Sequence, residues 1–280
     1  MSHTSLPRML MFVHIPKAAG TTLYKIIENQ YSKRAVYIID DTIEEDTRRF
    51  VMMPEQVRSD RYRCIVGHLP YGLHTLVPNP MDYITVLREP VDRLISHYYY
   101  VRSTPTNQLY NWVTSENVSL ERYILESQQP NRQTRMVCGF TKDDPERMLK
   151  PETDILGIAK ANLQSKFAAF GVSERFDETI LFFQKALQWR NPHYVAVNIT
   201  EKRPSREETK AQITKLIEEH SPLDFELYEY AKRLFDERLA ENGIDANRLE
   251  AYRRANRRYQ LFYKSQRSVR KTVKKILRLH

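Results

Sequence analysis

The sequence predicts an α/β fold, a parallel sheet flanked by helices, followed by a mostly helical carboxyl-terminal part. Three observations predict it. Short apolar runs of strand character alternate with longer stretches of helical periodicity, the pattern of strand–helix–strand units. Turn signals break the runs at residues 16–20 and again at Gly67-His68-Leu69-Pro70. The 280 residues, 41% of them apolar and 28% charged, suffice for one sizeable core.

The elements follow in chain order. Arg8–His14 reads as a strand, and after the turn an amphipathic helix covers Thr21–Gln30. Ala35–Ile39, Tyr62–Val66 and Tyr83–Leu87 are the next three strands. Pro90 suits a first helical turn and opens a helix to about Arg102. Phe167–Val172 reads as a buried strand, Glu174–Trp189 as a helix and Tyr194–Val197 as a last short strand. Helices are then expected over Arg206–Glu219, over Pro222–Asn242 with Gly243 as its cap, and from Ala246 onward. The expected division is a body, residues 1–245, and a basic amphipathic helix, residues 246–280.

Charge and composition exclude several classes. No apolar run approaches the 18 or so residues a membrane-spanning helix needs. The stretch Met9–Ile15 is too short for a signal peptide and has no small-residue cleavage site after it. Two cysteines 74 positions apart, with no CxxC, argue against a disulfide scaffold and against a structural zinc site. The net charge of +9 is unevenly spread: residues 247–280 hold 12 Lys or Arg and one acid, leaving 32 basic and 34 acidic residues elsewhere. Nucleic acid is therefore not the expected partner, because the body has no aromatic-interleaved basic patch.

The most informative segment is HIPKAAGTTLYKII, residues 14–27. It reads as strand, tight turn and helix start, a P-loop-like arrangement. Unpaired amides and the positive dipole end of a helix favour a phosphate or sulfate there. Lys17 adds a point charge, Thr21 and Thr22 add hydroxyl donors, and Gly20 removes a Cβ from the path of an anion. The pattern GxxxxGK[ST] is absent, so this is not the usual triphosphate loop. An ordinary strand–turn–helix remains open on this segment alone. A second segment, YITVLREPVDRLISHYYYVR (83–102), places Arg88 at a strand's carboxyl end, where α/β folds bind ligands. The planar guanidinium suits a phosphate, and Ser96, two turns into the helix, can donate to the same anion. Pairing of Arg88 with Glu89 or Asp92 is the alternative.

Together, PKAAGTT (16–22) and LREPVDRLISHYY (87–99) resemble the carbohydrate sulfotransferases, in particular the heparan sulfate and uronosyl 2-O-sulfotransferase branch. VGHLPYG (66–72), NRQTRMVCGF (131–140), residues 159–187, TEKRPSREET (200–209) and LYEYAKRLFDERL (227–239) continue the resemblance in order. It implies 3′-phosphoadenosine 5′-phosphosulfate (PAPS) as co-substrate, released as adenosine 3′,5′-bisphosphate, and no metal. It further implies a 5′-phosphosulfate loop at Lys17, Ala18, Ala19, Gly20, Thr21 and Thr22, and a 3′-phosphate site at Arg88 and Ser96. His68 matches the family's catalytic histidine, and Lys202 and Arg203 resemble the loop that closes over the nucleotide, a solvated loop being the alternative. Gln133 and Arg135 match a segment bordering the acceptor cleft. Animal members carry a membrane anchor and luminal disulfides. Neither is read in this sequence, so the expectation is a soluble bacterial member, cytoplasmic.

Sulfuryl transfer needs a cation for the leaving phosphate oxygen and a base for the acceptor hydroxyl. Lys17 and His68 are the expected catalytic pair. His74 is a fallback base, His14 an expected core or loop histidine, and His97 either packing or an acceptor contact. By helical geometry one of Tyr98, Tyr99 and Tyr100 must face the core. The acceptor is expected to be a glycan or glycolipid. The basic tail suits an anionic membrane surface, the inner membrane being the expected one, a partner, or an acidic polysaccharide, with docking on the body as the alternative. A nucleotide kinase with Asp40 on magnesium is the competing enzyme reading.

Overall fold

The computed structural model describes residues 6–40, 42–126, 130–150, 154–196 and 211–276, with side chains described as far as residue 266. Five strands form one parallel sheet in the order β2-β3-β1-β4-β5. They are β1 Met9–Val13, β2 Val36–Ile39, β3 Cys64–Gly67, β4 Met81–Leu87 and β5 Phe167–Val172. Central β1 is buried at every position, as expected of a parallel strand covered on both faces. Both cysteines are free and buried.

The helices begin with α1 Gly20–Gln30, α2 Ile43–Met52, α3 Glu55–Arg61 and α4 Pro90–Ser103. Next come α5 Tyr110–Ser115, α6 Leu120–Glu126, α7 Arg132–Cys138, α8 Ile155–Ser165 and α9 Phe176–Ala186. The chain continues through α10 Ala211–His220, α11 Pro222–Glu241 and α12 Ala246–Ile276. A second apolar cluster, apart from the sheet, gathers Leu94, Ile95 and Tyr98 of α4 with Tyr123 and Ile124 of α6 and Ile217 of α10. The expected cap at Gly243 is present: φ is +62°, and Ile244 N–H returns to the Leu239 carbonyl at 2.9 Å, closing the helix in a left-handed turn.

The expected strand at Tyr194–Val197 does not form over residues 194–196, and Val197 lies outside the described residues. The reason is local. Tyr194 gives its N–H to Asn256 Oδ1 (2.8 Å) and its carbonyl accepts from Gln260 Nε2 (3.3 Å), both on α12, so neither group is left for a strand ladder. The helix expected from Glu174 starts as a short 3-10 turn at Ser173–Arg175 before α9 begins. It ends before Gln188, whose φ of 56° is left-handed. Tyr252 and Asn256 of α12 are buried, so the first turns of the basic helix pack as part of the body.

Two helix starts far apart in sequence cap one another. Asp224, fully buried in the first turn of α11, accepts from Thr134 N–H (2.8 Å) and Gln133 N–H (3.2 Å) of α7. In return Asn131 Oδ1 accepts from Leu223 N–H at 2.9 Å. The same carboxylate faces Arg93 Nη2 at 3.8 Å, and Arg93 is only 2% exposed, with its Nε and Nη1 unpartnered. Removing one partner of a buried pair strands the other charge. Asp224→Ala is therefore expected to cost about 3–5 kcal/mol, read as a lowered denaturation midpoint, whereas Arg122→Ala, whose carboxylate pairs are exposed, changes stability by under about 1 kcal/mol.

Candidate active site

β1 and β4 are neighbours in the sheet, yet their outgoing connections leave in opposite directions, through α1 to β2 and through α4 to β5. A crevice opens at such a reversal, outside the carboxyl ends of the strands. The turn after β1 and Arg88 after β4 both stand there. Lys17 and Ala19 adopt left-handed backbone, with φ of 68° and 59°. Each costs about 1–2 kcal/mol at a residue with a side chain. Such turns aim successive N–H groups into one concavity, a nest for an anion. The N-cap of α1 is Ala19, whose side chain makes no cap hydrogen bond; an external anion suits that start.

Arg88 ties the two segments into one site. Its Nη1 donates to the Lys17 carbonyl at 2.8 Å, and its Nε lies 4.0 Å from Glu174 Oε1. Gln133, fully buried, clamps the Arg88 backbone from both sides: Arg88 N–H donates to Oε1 and Nε2 donates to the Arg88 carbonyl, each at 2.9 Å. Gln133 thus holds Arg88 and does not border a cleft. Arg135 is turned inward, donating from Nε to the Pro130 carbonyl at 2.9 Å and from Nη1 to that of Met148. The Lys17 ammonium sits 4.1 Å from the centroid of Tyr100, a cation–π contact. Tyr98 is the core-facing tyrosine of the run, buried with its hydroxyl on the Val118 carbonyl at 2.8 Å.

The remaining loop residues are placed as follows. Ala18 is buried and its N–H donates to the Ile15 carbonyl at 3.3 Å, so that amide already serves the turn. Gly20 and Thr22 are buried and Thr21 is half-buried in the first turn of α1, while Ser96 is buried in α4. A Cβ at position 20 would lie 1.8 Å from His14 Nε2. The glycine is demanded by that ring, a cause the sequence reading, which looked only to the anion, did not supply. Lys202 and Arg203 lie outside the described residues.

The histidines separate sharply. His68 follows Gly67, where a Cβ would sit 2.2 Å from the Ile39 carbonyl, so only glycine lets β3 close on β2 there. The His68 ring stacks on His14 at 4.4 Å between centroids. Its Nδ1 lies 2.8 Å from the His14 carbonyl and its Nε2 lies 3.2 Å from Asp40 Oδ1. Burial, reinforced by the His68 and Lys17 charges, pushes His14 down to about 3. Burial, then the Arg93 and Arg132 charges, pushes His97 down to about 3 as well, and its Nδ1 pairs with Tyr123 Oη at 2.6 Å. Both rings are therefore neutral near pH 7. His74 is corrected outright. It stands at the amino ends of the strands, pairing with Tyr83 Oη at 2.9 Å and lining a cavity of about 580 Å³ with Arg8, Asp82 and Lys166. Residues 69–73 carry the chain from one end of the sheet to the other, so six positions separate opposite poles.

Sequence reasoning missed Glu174, which receives Glu89 N–H (3.1 Å) and Tyr228 Oη (2.8 Å) beside Arg88. The signal was its place just past the end of β5. Asp40, a magnesium ligand only in the competing kinase reading, turns its carboxylate to His68. Tyr100 was seen only as one of three tyrosines.

The family model of the galactose-3-O-sulfotransferases matches residues 4–268, and the chain belongs to that family. Human heparan-sulfate 6-O-sulfotransferase 3 is 30% identical over 192 residues, 56% of this chain and 38% of its own length. Heparan-sulfate 6-O-sulfotransferase 1 of Cricetulus griseus is 28% identical over 211 residues, 62% of this chain and 50% of its own. The chain thus spans half or less of these relatives. The heparan sulfate 2-O-sulfotransferase hst-2 of Caenorhabditis elegans is 24% identical over 270 residues, 85% of this chain and 82% of its own. Mouse sulfotransferase SULT7A1, solved with PAP, aligns over 76% of this chain and 64% of its own at 13% identity and a TM-score of 0.36, too slight a likeness to place a ligand.

Gly20→Ala is expected to lose about 1–3 kcal/mol by driving a methyl into the His14 ring. His14→Ala in the same chain should return most of that loss, and a double-mutant cycle of denaturation midpoints measures the coupling.

Proposed function

We propose that the chain is a PAPS-dependent O-sulfotransferase that moves a sulfuryl group onto a hydroxyl of a carbohydrate acceptor. The observation that carries this is the Arg88–Lys17 bond, which brings the two anion-binding segments to one crevice. Family membership supplies the reaction class. The residues fit a doubly anionic nucleotide: a helix start with Ala19 at its N-cap and a left-handed turn for one charged end, with Arg88 close beside them for the other.

In this reading Lys17 and the first amides of α1 meet the charge that grows on the leaving phosphate oxygen. Arg88 holds the 3′-phosphate, with Ser96 behind it and Lys202 and Arg203 closing above. His68 takes the acceptor proton. A base near 3 is too weak for that work at neutral pH, which removes His14 and His97, and His74 is at the wrong pole. The kinase reading fares worse, since its Asp40 is engaged by His68. Expected outcomes separate the roles. In calorimetry the chain binds adenosine 3′,5′-bisphosphate without metal and in preference to ATP with magnesium. Arg88→Ala weakens that binding about tenfold or more, the size of one charge-assisted bond. His68→Ala leaves binding intact and lowers turnover about 10²–10⁴-fold.

The location this reading favours is cytoplasmic, with α12 against the inner face of the membrane. Its support is a patch of exposed Leu261, Phe262 and Tyr263, at 69%, 61% and 45%, within the strongly basic tail. Such a helix suits an anionic lipid surface. No described helix is long and apolar enough to cross a membrane. Leu261→Ser with Phe262→Ser, which spares the buried Tyr252 and Asn256, is expected to reduce co-sedimentation with phosphatidylglycerol vesicles several-fold.

A further inference from the structure

The His68 ring is held between two acceptors. Nδ1 faces the His14 carbonyl at 2.8 Å and Nε2 faces the Asp40 carboxylate at 3.2 Å. Neither acceptor has a proton to give, so both contacts are hydrogen bonds only when the ring carries both protons. Strand register creates this arrangement. Ile39 of β2 is paired with Gly67 of β3, and His68 N–H donates to the Ile39 carbonyl at 3.1 Å, so Asp40 and His68 are the next residues out of each strand. Three described groups bear on the ring: His14 from the β1–α1 turn, Asp40 from the end of β2, and His97 from α4. Of these, Asp40 alone is acidic. Its side chain is 58% exposed against 25% for His68, so the carboxylate reaches water where the ring largely does not. The hydrogen bond from His68 also holds the Asp40 carboxyl below the usual carboxylate range.

We propose that Asp40 is the proton outlet of this site, a positioning residue that accepts the Nε2–H of the ring after transfer and yields its place to the acceptor hydroxyl before the next. The inference rests on His68 being the base. During transfer the acceptor oxygen bonds to sulfur, the bond from sulfur to the bridging phosphate oxygen breaks, and that electron pair stays on the phosphate. The acceptor proton arrives on Nε2. Asp40 then takes the Nε2–H as a hydrogen-bond acceptor, and the proton passes to water, which restores the lone pair on Nε2 and leaves the carboxylate ionised. Asp40 and the acceptor hydroxyl compete for one nitrogen: the carboxylate can hydrogen-bond only its N–H form, the hydroxyl proton only its bare lone pair.

Removing the charge has a signed consequence. In Asp40→Asn the acid limb of kcat/KM moves to lower pH by about half a unit, the size of a surface-exposed ion pair. That is about threefold more activity at the acid end. In the nucleotide-free protein the His68 ring titration, followed by NMR, moves the same way by the same amount. Asp40→Glu keeps most of the wild-type profile. Because Asp40 is exposed, the thermal midpoint is unchanged in both variants. An acid limb that stays in place in Asp40→Asn overturns the proposal, whatever the ring titration does. Wild-type turnover in His68→Gln overturns instead the base assignment beneath it, and the NMR titration of Asp40→Asn still reports whether the two side chains are coupled.

Discussion

A single guanidinium decides whether this fold has one site or two unrelated loops. Arg88 leaves the end of β4 and reaches across to the main chain of Lys17, so the turn after β1 and the turn after β4 share a common wall. Its own backbone cannot drift, because the Gln133 amide occupies both its N–H and its carbonyl. Gln133 in turn rides on α7, whose start is held by Asp224. The chain of dependence runs from a buried carboxylate on α11, through a helix start, through a side-chain amide, to the crevice.

This layering explains why so many charged groups lie below the surface on one side of the sheet. Arg93, Asp224 and Glu89 are all nearly or fully buried, in or near the first turns of α4 and α11. Buried charge is a poor source of net stability, since desolvation offsets most of the attraction. What it supplies here is a fixed geometry: two helix starts that cap each other cannot slide without leaving amides unpaired. Rigid support of this kind is what a transfer reaction requires of the groups that surround it.

The parts of the structure written as local periodicity were legible in the sequence. Five of six strands and the helices that open at Gly20 and Pro90 follow from apolar runs and turn residues. So does the placing of Lys17, His68 and Arg88 at one end of the sheet, because in a parallel sheet every strand's carboxyl end points the same way. The sixth strand failed because side chains 60 and more residues away claim the backbone of Tyr194, and nothing local announces that. Gln133 reads in the sequence as part of a segment bordering the acceptor cleft, since its role depends on meeting the Arg88 backbone 45 residues earlier. The short helices α5 to α7, of six or seven residues, carry too few turns for a clear period. His74 shows the limit most plainly: proximity in sequence to His68 gave it a shared role, and the intervening residues spend that proximity crossing the sheet.

The contact between His14 and Gly20 reaches beyond this one chain. A ring pressed against a bare α-carbon makes positions 14 and 20 a matched pair, so across descendants of the same ancestor the two are expected to co-vary. Where the imidazole is kept, alanine should be absent six residues on. Where a small residue replaces the imidazole, that restriction lapses, and the turn is free to tighten or loosen.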